Sequence, residues 1–217
     1  MIVEPLQLTV AAAFAGRNAG STISGDQIDA AEKCLGVALP EALRDYYLVA
    51  GGYREMMDKD FHLLPPEKLR IEGDYLVFCE ESQGGAVWGI HRNNLLTLAN
   101  PRVEGKAGNA LKWFSESSKL SAFLLGIGAW QALLSQEETA RCELPEKQLK
   151  KIEALFDYIG ERSLRLGGHR VGLIYRDAAA PLIAAYLFNS EMLYVGAPEE
   201  GLIERIEELS GLDFEWL

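Results

Sequence analysis

The segment from Leu35 to Met56, LGVALPEALRDYYLVAGGYREM, constrains the fold most, because it encodes a complete helix with a start and a stop. Pro40 suits the first helical position, where a backbone N–H would have no partner. The paired glycines at 51 and 52 are expected to end the helix in a left-handed turn. An apolar stripe is formed by Leu39, Leu43 and Tyr47 at four-residue spacing, with Leu48 next to Tyr47. The segment predicts one half of a helical hairpin that covers a sheet.

The other half of the hairpin lies just before this segment. Ser24 or Asp26 is placed to cap a helix whose apolar residues Ile28 and Ala31 face inward, and Gly36 ends it. At the N-terminus, the apolar run from Leu6 to Ala15 follows an acidic residue and a proline, which is not typical of a secretory signal. We interpret that run as an edge strand or a packed helix.

Composition narrows the functional classes. The chain has 217 residues, of which 48% are hydrophobic and 24% charged, so it is long enough to bury a real core. Its formal net charge of −11 disfavours general binding to nucleic-acid phosphates, which requires lysine and arginine. A positively charged protein is a better match for this net charge than a nucleic acid. Three widely spaced cysteines without a CxxC pair favour a reducing compartment, and the cytoplasm is expected.

Short strands follow the hairpin. Tyr75 to Cys79 and Ala86 to His91 are rich in aromatic and β-branched residues and are joined at Gly84-Gly85, so they predict a β-hairpin. Leu95 to Leu98 is expected to be a third strand and Leu111 to Phe114 a fourth, with 104–109 as a linker. Such short connections indicate an antiparallel sheet.

A long apolar helix is expected from Ser117 or Ser118 to Leu134, with close packing or a bend at its glycines, Gly126 and Gly128. The remainder predicts a linker over 136–145, a helix over 145–158, strands over 171–175, 182–188 and 192–195, and a closing helix over 198–209. The fold class is therefore α+β, a mostly antiparallel sheet with helices on one side and a C-terminal helix-strand-strand-strand-helix extension. We divide the chain into a domain over 1–135 and an extension over 136–217, which either continues the first sheet or forms a small subdomain.

No residue pattern demands catalysis. Glu80 and Glu81 are neighbours on a strand and point to opposite faces, so they would not act together as acid and base. Cys79 lies between strand-forming residues and a carboxylate that would raise the pKa of its thiol, which indicates a buried structural cysteine. The three histidines lack the spacing of metal ligands. No enzyme activity, metal or cofactor is expected.

Two features are candidates for binding a partner. Trp88 is either an exposed anchor on the open side of the sheet or a core residue, depending on which face it occupies. From Pro198 to Leu217 there are seven acidic residues and one arginine, a local charge of −6. The glutamates of this segment form either a solvated helix face or a negatively charged surface that attracts a basic protein. The partner-binding candidates are Glu80, Glu81, Trp88, Glu199, Glu200, Glu204, Glu207 and Glu208.

Three motifs resemble the SUKH superfamily, which includes a fungal cell-wall-assembly regulator and many bacterial immunity proteins. LGVALPEALRDYYLVAGG is similar to the start of that family, and DYLVFCEESQGGAVWGI to its strand, acidic-Gln turn and tryptophan strand. NPRVEG, from Asn100, resembles the family's Asp-Pro-Pro-Val turn, with asparagine in the first place and Arg102 replacing the second proline. The resemblance covers about Ile23 to Ser135.

The resemblance implies an α+β domain that binds proteins without catalysis. In bacterial members this fold typically neutralises a toxin domain, often a nuclease or deaminase, encoded beside it. We therefore expect an immunity protein with a basic toxin as its partner, and neither nucleic acid nor membrane as a ligand. The alternative is a regulatory or scaffolding module of the same fold, and an enzyme ranks third.

Overall fold

The computed structural model describes residues 2–14, 19–97, 99–108, 110–159, 164–166, 169–176 and 180–217. The α-helices in these ranges are α1 Val3–Ala13, α2 Gly25–Leu35, α3 Glu41–Ala50, α4 Arg54–Met57, α5 Arg92–Thr97, α6 Leu120–Leu134, α7 Lys150–Glu153 and α8 Glu200–Ser210. None of the described helices combines the length and the apolar character that a membrane span requires. The N-terminal apolar run forms a packed helix, the second of the two structures considered for it.

The strands form two antiparallel sheets, as expected for an α+β fold. The described strands are β1 Phe61–Leu63, β2 Arg70–Glu72, β3 Tyr75–Glu81, β4 Ala86–His91, β5 Val103–Ala107, β6 Phe114–Ser117, β7 Glu138–Glu143, β8 Asp157–Tyr158, β9 Leu164–Leu166, β10 His169–Arg176, β11 Ile183–Leu187, β12 Met192–Ala197 and β13 Glu215–Trp216. The first sheet has the order β1-β3-β4-β5-β6, with β2 also paired to β3. The second has the order β13-β7-β12-β11-β10-β8, with β9 also paired to β10.

The predicted helical hairpin is present, with two differences in detail. Ser24 caps α2 in a capping box with Gln27, and Gly36 ends it at a positive φ of 68°. Leu48, expected in the apolar stripe of α3, is exposed instead, because Tyr46 and Tyr47 take the inward positions. The turn after α3 is right-handed, with φ of −63° at Gly51. Glycine is required there by space, since a Cβ would lie 2.4 Å from the carbonyl oxygen of Tyr47.

The first sheet contains the predicted hairpin of β3 and β4, but three neighbouring segments were predicted wrongly. The fourth strand, expected over 111–114, begins only at Phe114, as β6. The third strand was expected over Leu95 to Leu98, but 95–97 belong to the helix α5, and Leu98 lies outside the described residues. The expected linker over 104–109 instead provides most of β5, which pairs with β4 on one side and β6 on the other. The sequence VEGKA has a low β-propensity, so tertiary pairing and not local preference makes this strand.

The long helix α6 forms the centre of the molecule. Phe123 contacts Phe78 of β3 and Trp88 of β4, which places α6 on the inner face of the first sheet. Ile183 and Ala185 of β11 belong to the same hydrophobic core, so α6 also packs against the second sheet. The close packing expected at its glycines is present at Gly128, where a Cβ would lie 3.0 Å from the hydroxyl of Tyr46.

The C-terminal part differs from the prediction at its start. The predicted linker over 136–145 contains β7, and the helix predicted over 145–158 is reduced to the four residues of α7 within irregular turns and β8. The three predicted strands and the closing helix are present as β10, β11, β12 and α8. A second core lies between α8 and the outer face of this sheet, where Ile203 and Ile206 pack with Tyr186 and Val195.

Candidate protein-binding surfaces

Trp88 is a core residue and not an exposed anchor. Its side chain is 1% exposed and packs edge-on against Phe61, with ring centroids 5.3 Å apart. The indole Nε1–H donates to a carboxylate oxygen of the buried Glu116 at 3.0 Å. The assignment of Trp88 to the partner-binding candidates is therefore wrong, because β4 turns this residue toward α6.

Glu80 and Glu81 lie at the end of β3 and do not converge. Glu80 pairs with His62 across the strands, and its carboxylate forms an ion pair with Arg70 at 2.6 Å. Glu81 accepts a hydrogen bond from the backbone N–H of Gly85 at 2.7 Å and so holds the hairpin turn. Both side chains are partly exposed, so they remain available at the rim of the sheet.

Four of the five C-terminal glutamates project into solvent. Glu199, Glu200, Glu204 and Glu208 are exposed, whereas Glu207 accepts a hydrogen bond from the backbone N–H of Phe214 at 2.9 Å. Leu209, Trp216 and Leu217 are also exposed, by 56%, 40% and 63%. This part of the chain therefore combines negative charge with apolar side chains at its surface, on the face of the second sheet that lies away from α6.

The described residues provide little for a catalytic or metal site. Cys79 is fully buried, and burial first and the Glu80 charge second raise the pKa of its thiol. Burial also raises the pKa of Cys142 to about 11. No group of three or more metal-ligating side chains lies together in the described ranges. A thiolate nucleophile is thus disfavoured at both buried cysteines.

A cleft of about 600 Å³ opens between the turn after α3 and strand β1. Its lining combines apolar residues such as Ile23 and Met57 with side chains of both charges, among them Arg54 and Glu80. His62 and Asp58 contact each other at its edge. Because side chains of both charges line it, the cleft does not favour an ion of one sign.

A cluster of rings on the open face of the first sheet was not predicted. Leu76 and Ile90 pair across β3 and β4 and point into the core, so their neighbours Tyr75 and His91 point the other way. Tyr75 stacks on Trp113 with centroids 3.9 Å apart and an interplanar angle of 11°, and meets His91 edge-on at 5.1 Å. We call these three partly exposed residues the aromatic ledge.

Glycine and carboxylate groups shape the aromatic ledge. Trp113 lies over Gly89, where a Cβ would be 3.1 Å from its ring. Glu104 pairs with Gly89 on the neighbouring strand and is 13% exposed. Burial, together with the Glu104 carboxylate, raises the pKa of Tyr75 to about 12, so its hydroxyl stays protonated near neutral pH.

The family comparison agrees with this architecture. The model of the SMI1 / KNR4 family (SUKH-1) matches residues 22–110. Over residues 22–110, which we call the SUKH segment, the chain is therefore similar to the SUKH superfamily. No curated protein and no protein of known structure matches the chain.

The SUKH segment includes the elements from α2 to β5. Glu80, Glu81 and most of the aromatic ledge lie within it, whereas Trp113 and the C-terminal glutamates lie outside. This match confirms the resemblance that the helical hairpin and the tryptophan strand had indicated. It is compatible with a protein-binding role, and the partner has to be inferred from the surfaces.

Proposed function

We propose that this chain is an immunity protein that binds and neutralises a cognate toxin domain, with a basic nuclease or deaminase as the partner. The observation that carries the proposal is the SUKH segment over residues 22–110. The proposed action is stoichiometric binding in the cytoplasm, with no catalytic step and no cofactor. The free thiols of Cys34, Cys79 and Cys142 agree with a reducing compartment.

Charge supports a basic partner. The chain carries a formal charge of −11, and four exposed glutamates lie on α8 and its N-cap: Glu199, Glu200, Glu204 and Glu208. Such a field accelerates encounter with a positively charged protein and is weakened by salt. Among the candidates, the exposed glutamates of α8 are best placed for this steering role, whereas Glu80 and Glu81 lie on the other unit of the chain.

We further propose that 1–135 and 136–217 act as two units that share α6. The first unit would provide the SUKH surface and the second the negative field. Because α6 contributes to the core beside both sheets, the two units would keep a fixed arrangement when a partner binds.

Co-expression with the product of the neighbouring gene tests the proposal. We expect the chain to restore growth of cells that make this toxin and to co-purify with it. Failure both to bind and to protect would refute the proposal. Binding to several unrelated proteins without protection would instead favour a regulatory or scaffolding module of the same fold.

The steering role has its own test. Replacing Glu199, Glu204 and Glu208 with lysine should lower the association rate about tenfold or more at low salt, and the difference should shrink as salt is added. The matched control replaces three exposed glutamates outside α8, Glu4, Glu41 and Glu67, and changes the net charge equally. Equal effects of the two triple variants would show that only net charge matters and would remove α8 as the steering surface.

A further inference from the structure

We propose that the aromatic ledge, extended by Leu111, is the docking surface for a basic loop of the partner, with an arginine or lysine side chain lying on the exposed face of Trp113. This inference rests on the proposed function, because its partner is the same toxin. In this proposal the glutamates of α8 speed up the encounter with the partner, and the open face of the first sheet forms the tight contact.

The position of the ledge makes it available to a partner. The helices contact the inner face of the first sheet through residues such as Phe78 and Trp88, and the ledge lies on the opposite face. Stacking on Tyr75 at 3.9 Å fixes the plane of Trp113 before any partner arrives. A fixed aromatic ring loses little conformational entropy on binding, which is typical of residues that dominate interface energy.

The electrostatics of the open face favour a cation. Arg70 is held by two carboxylates, Glu72 at 2.7 Å and Glu80 at 2.6 Å, so its charge is more than compensated. Glu104 forms an ion pair with Arg102 at 3.4 Å and a hydrogen bond with the Tyr75 hydroxyl, while its Oε2 atom has no hydrogen-bond partner among the described residues. This carboxylate beside the rings adds to the attraction that an aromatic face itself exerts on arginine or lysine.

Leu111 supplies an apolar contact beside the rings. Its side chain is 97% exposed and lies two residues before Trp113, in the loop that leads into β6. Covering this leucine would remove apolar surface from water and so add binding energy next to the aromatic anchor. A basic loop with an apolar neighbour is therefore the complementary partner.

The test measures binding of the purified toxin domain by surface plasmon resonance. Trp113→Ala should raise Kd about 30-fold or more, mainly through faster dissociation, as expected for an interface hot spot. Glu104→Gln should weaken binding less. Leu111→Ala should weaken it several-fold with no effect on folding, because the side chain touches little of its own chain. The matched control is Leu48→Ala, an exposed leucine on α3.

The outcomes separate the two claims. Loss of affinity in the Trp113 and Leu111 variants but not in the Leu48 variant would support the docking surface. If Trp113→Ala fails to fold, the Leu111 variant decides. If both variants bind with the affinity of the unmodified chain, the inference is overturned and the proposed function stays intact. The same holds if the Trp113 variant does not fold and Leu111→Ala leaves the affinity unchanged. Absence of binding by the unmodified chain would overturn the proposed function as well.

Discussion

Gln131 of α6 is the buried side chain whose removal we expect to destabilise the fold most directly. It is fully buried, and its Oε1 accepts from the backbone N–H groups of Lys59 at 3.0 Å and Phe61 at 3.1 Å. Its Nε2 donates to the carbonyl oxygen of Met56 at 2.6 Å. One side chain thus holds the segment between α4 and β1 against the central helix.

The free energy of unfolding that Gln131→Met removes depends on which hydrogen bonds the three backbone partners of Gln131 keep. Ser82 N bonds to Asp60 O, so the N–H of Phe61 points away from β3 and is left without an acceptor, at about 1–3 kcal/mol. The Lys59 N–H keeps a weak bond of 3.4 Å to Phe61 O, and the Met56 carbonyl keeps the Tyr46 hydroxyl. Each of these two lost bonds costs about 1 kcal/mol. Methionine fills a similar volume and offsets about 1 kcal/mol, which leaves a net loss of about 3 kcal/mol.

Urea denaturation followed by circular dichroism measures this loss. The matched control is Gln83→Met in the exposed hairpin turn, which should change the free energy of unfolding by less than about 0.5 kcal/mol. If Gln131→Met costs less than about 1 kcal/mol, the hydrogen bonds of Gln131 do not secure the segment before β1, and the reasoning from unsatisfied buried groups is refuted.

Two further predictions concern the turn after α3 and the cysteines. Gly51→Ala should lower the free energy of unfolding by about 1–3 kcal/mol, because its Cβ meets the carbonyl oxygen of Tyr47. Gly25→Ala, in open space at the start of α2, should be neutral or slightly stabilising in the same denaturation assay, and equal losses would contradict the steric argument. At pH 8 a maleimide should label the exposed Cys34 rapidly and the buried Cys142 slowly, since burial raises the pKa of the latter to about 11. Mass spectrometry of the labelled peptides checks this, and equal rates would contradict the burial of Cys142.

The fold could be predicted from sequence where local signals decide it. The capping box at Ser24, the left-handed Gly36 and the hairpin at Gly84-Gly85 all depend on residues close together in the chain. Strands β5 and β7 were missed because their residues have weak strand preferences, and pairing with distant strands determines them.

The candidate site could be predicted only in part, for the same reason. The exposed glutamates of α8 follow from their position on an amphipathic helix. Whether Trp88 is buried or exposed depends on which face of β4 packs against α6. The sequence does not determine that face, so both positions had to be considered. The aromatic ledge brings Tyr75 and Trp113 together across several strands, and no spacing in the sequence encodes that contact.

Titration of the purified neighbouring toxin with the purified chain tests the central claim most directly. A binder that neutralises without catalysis should reduce toxin activity linearly, with the end point near one chain per toxin molecule. Full activity at a large excess of the chain would contradict the immunity role. Complete loss of activity far below a one-to-one ratio would contradict the absence of catalysis.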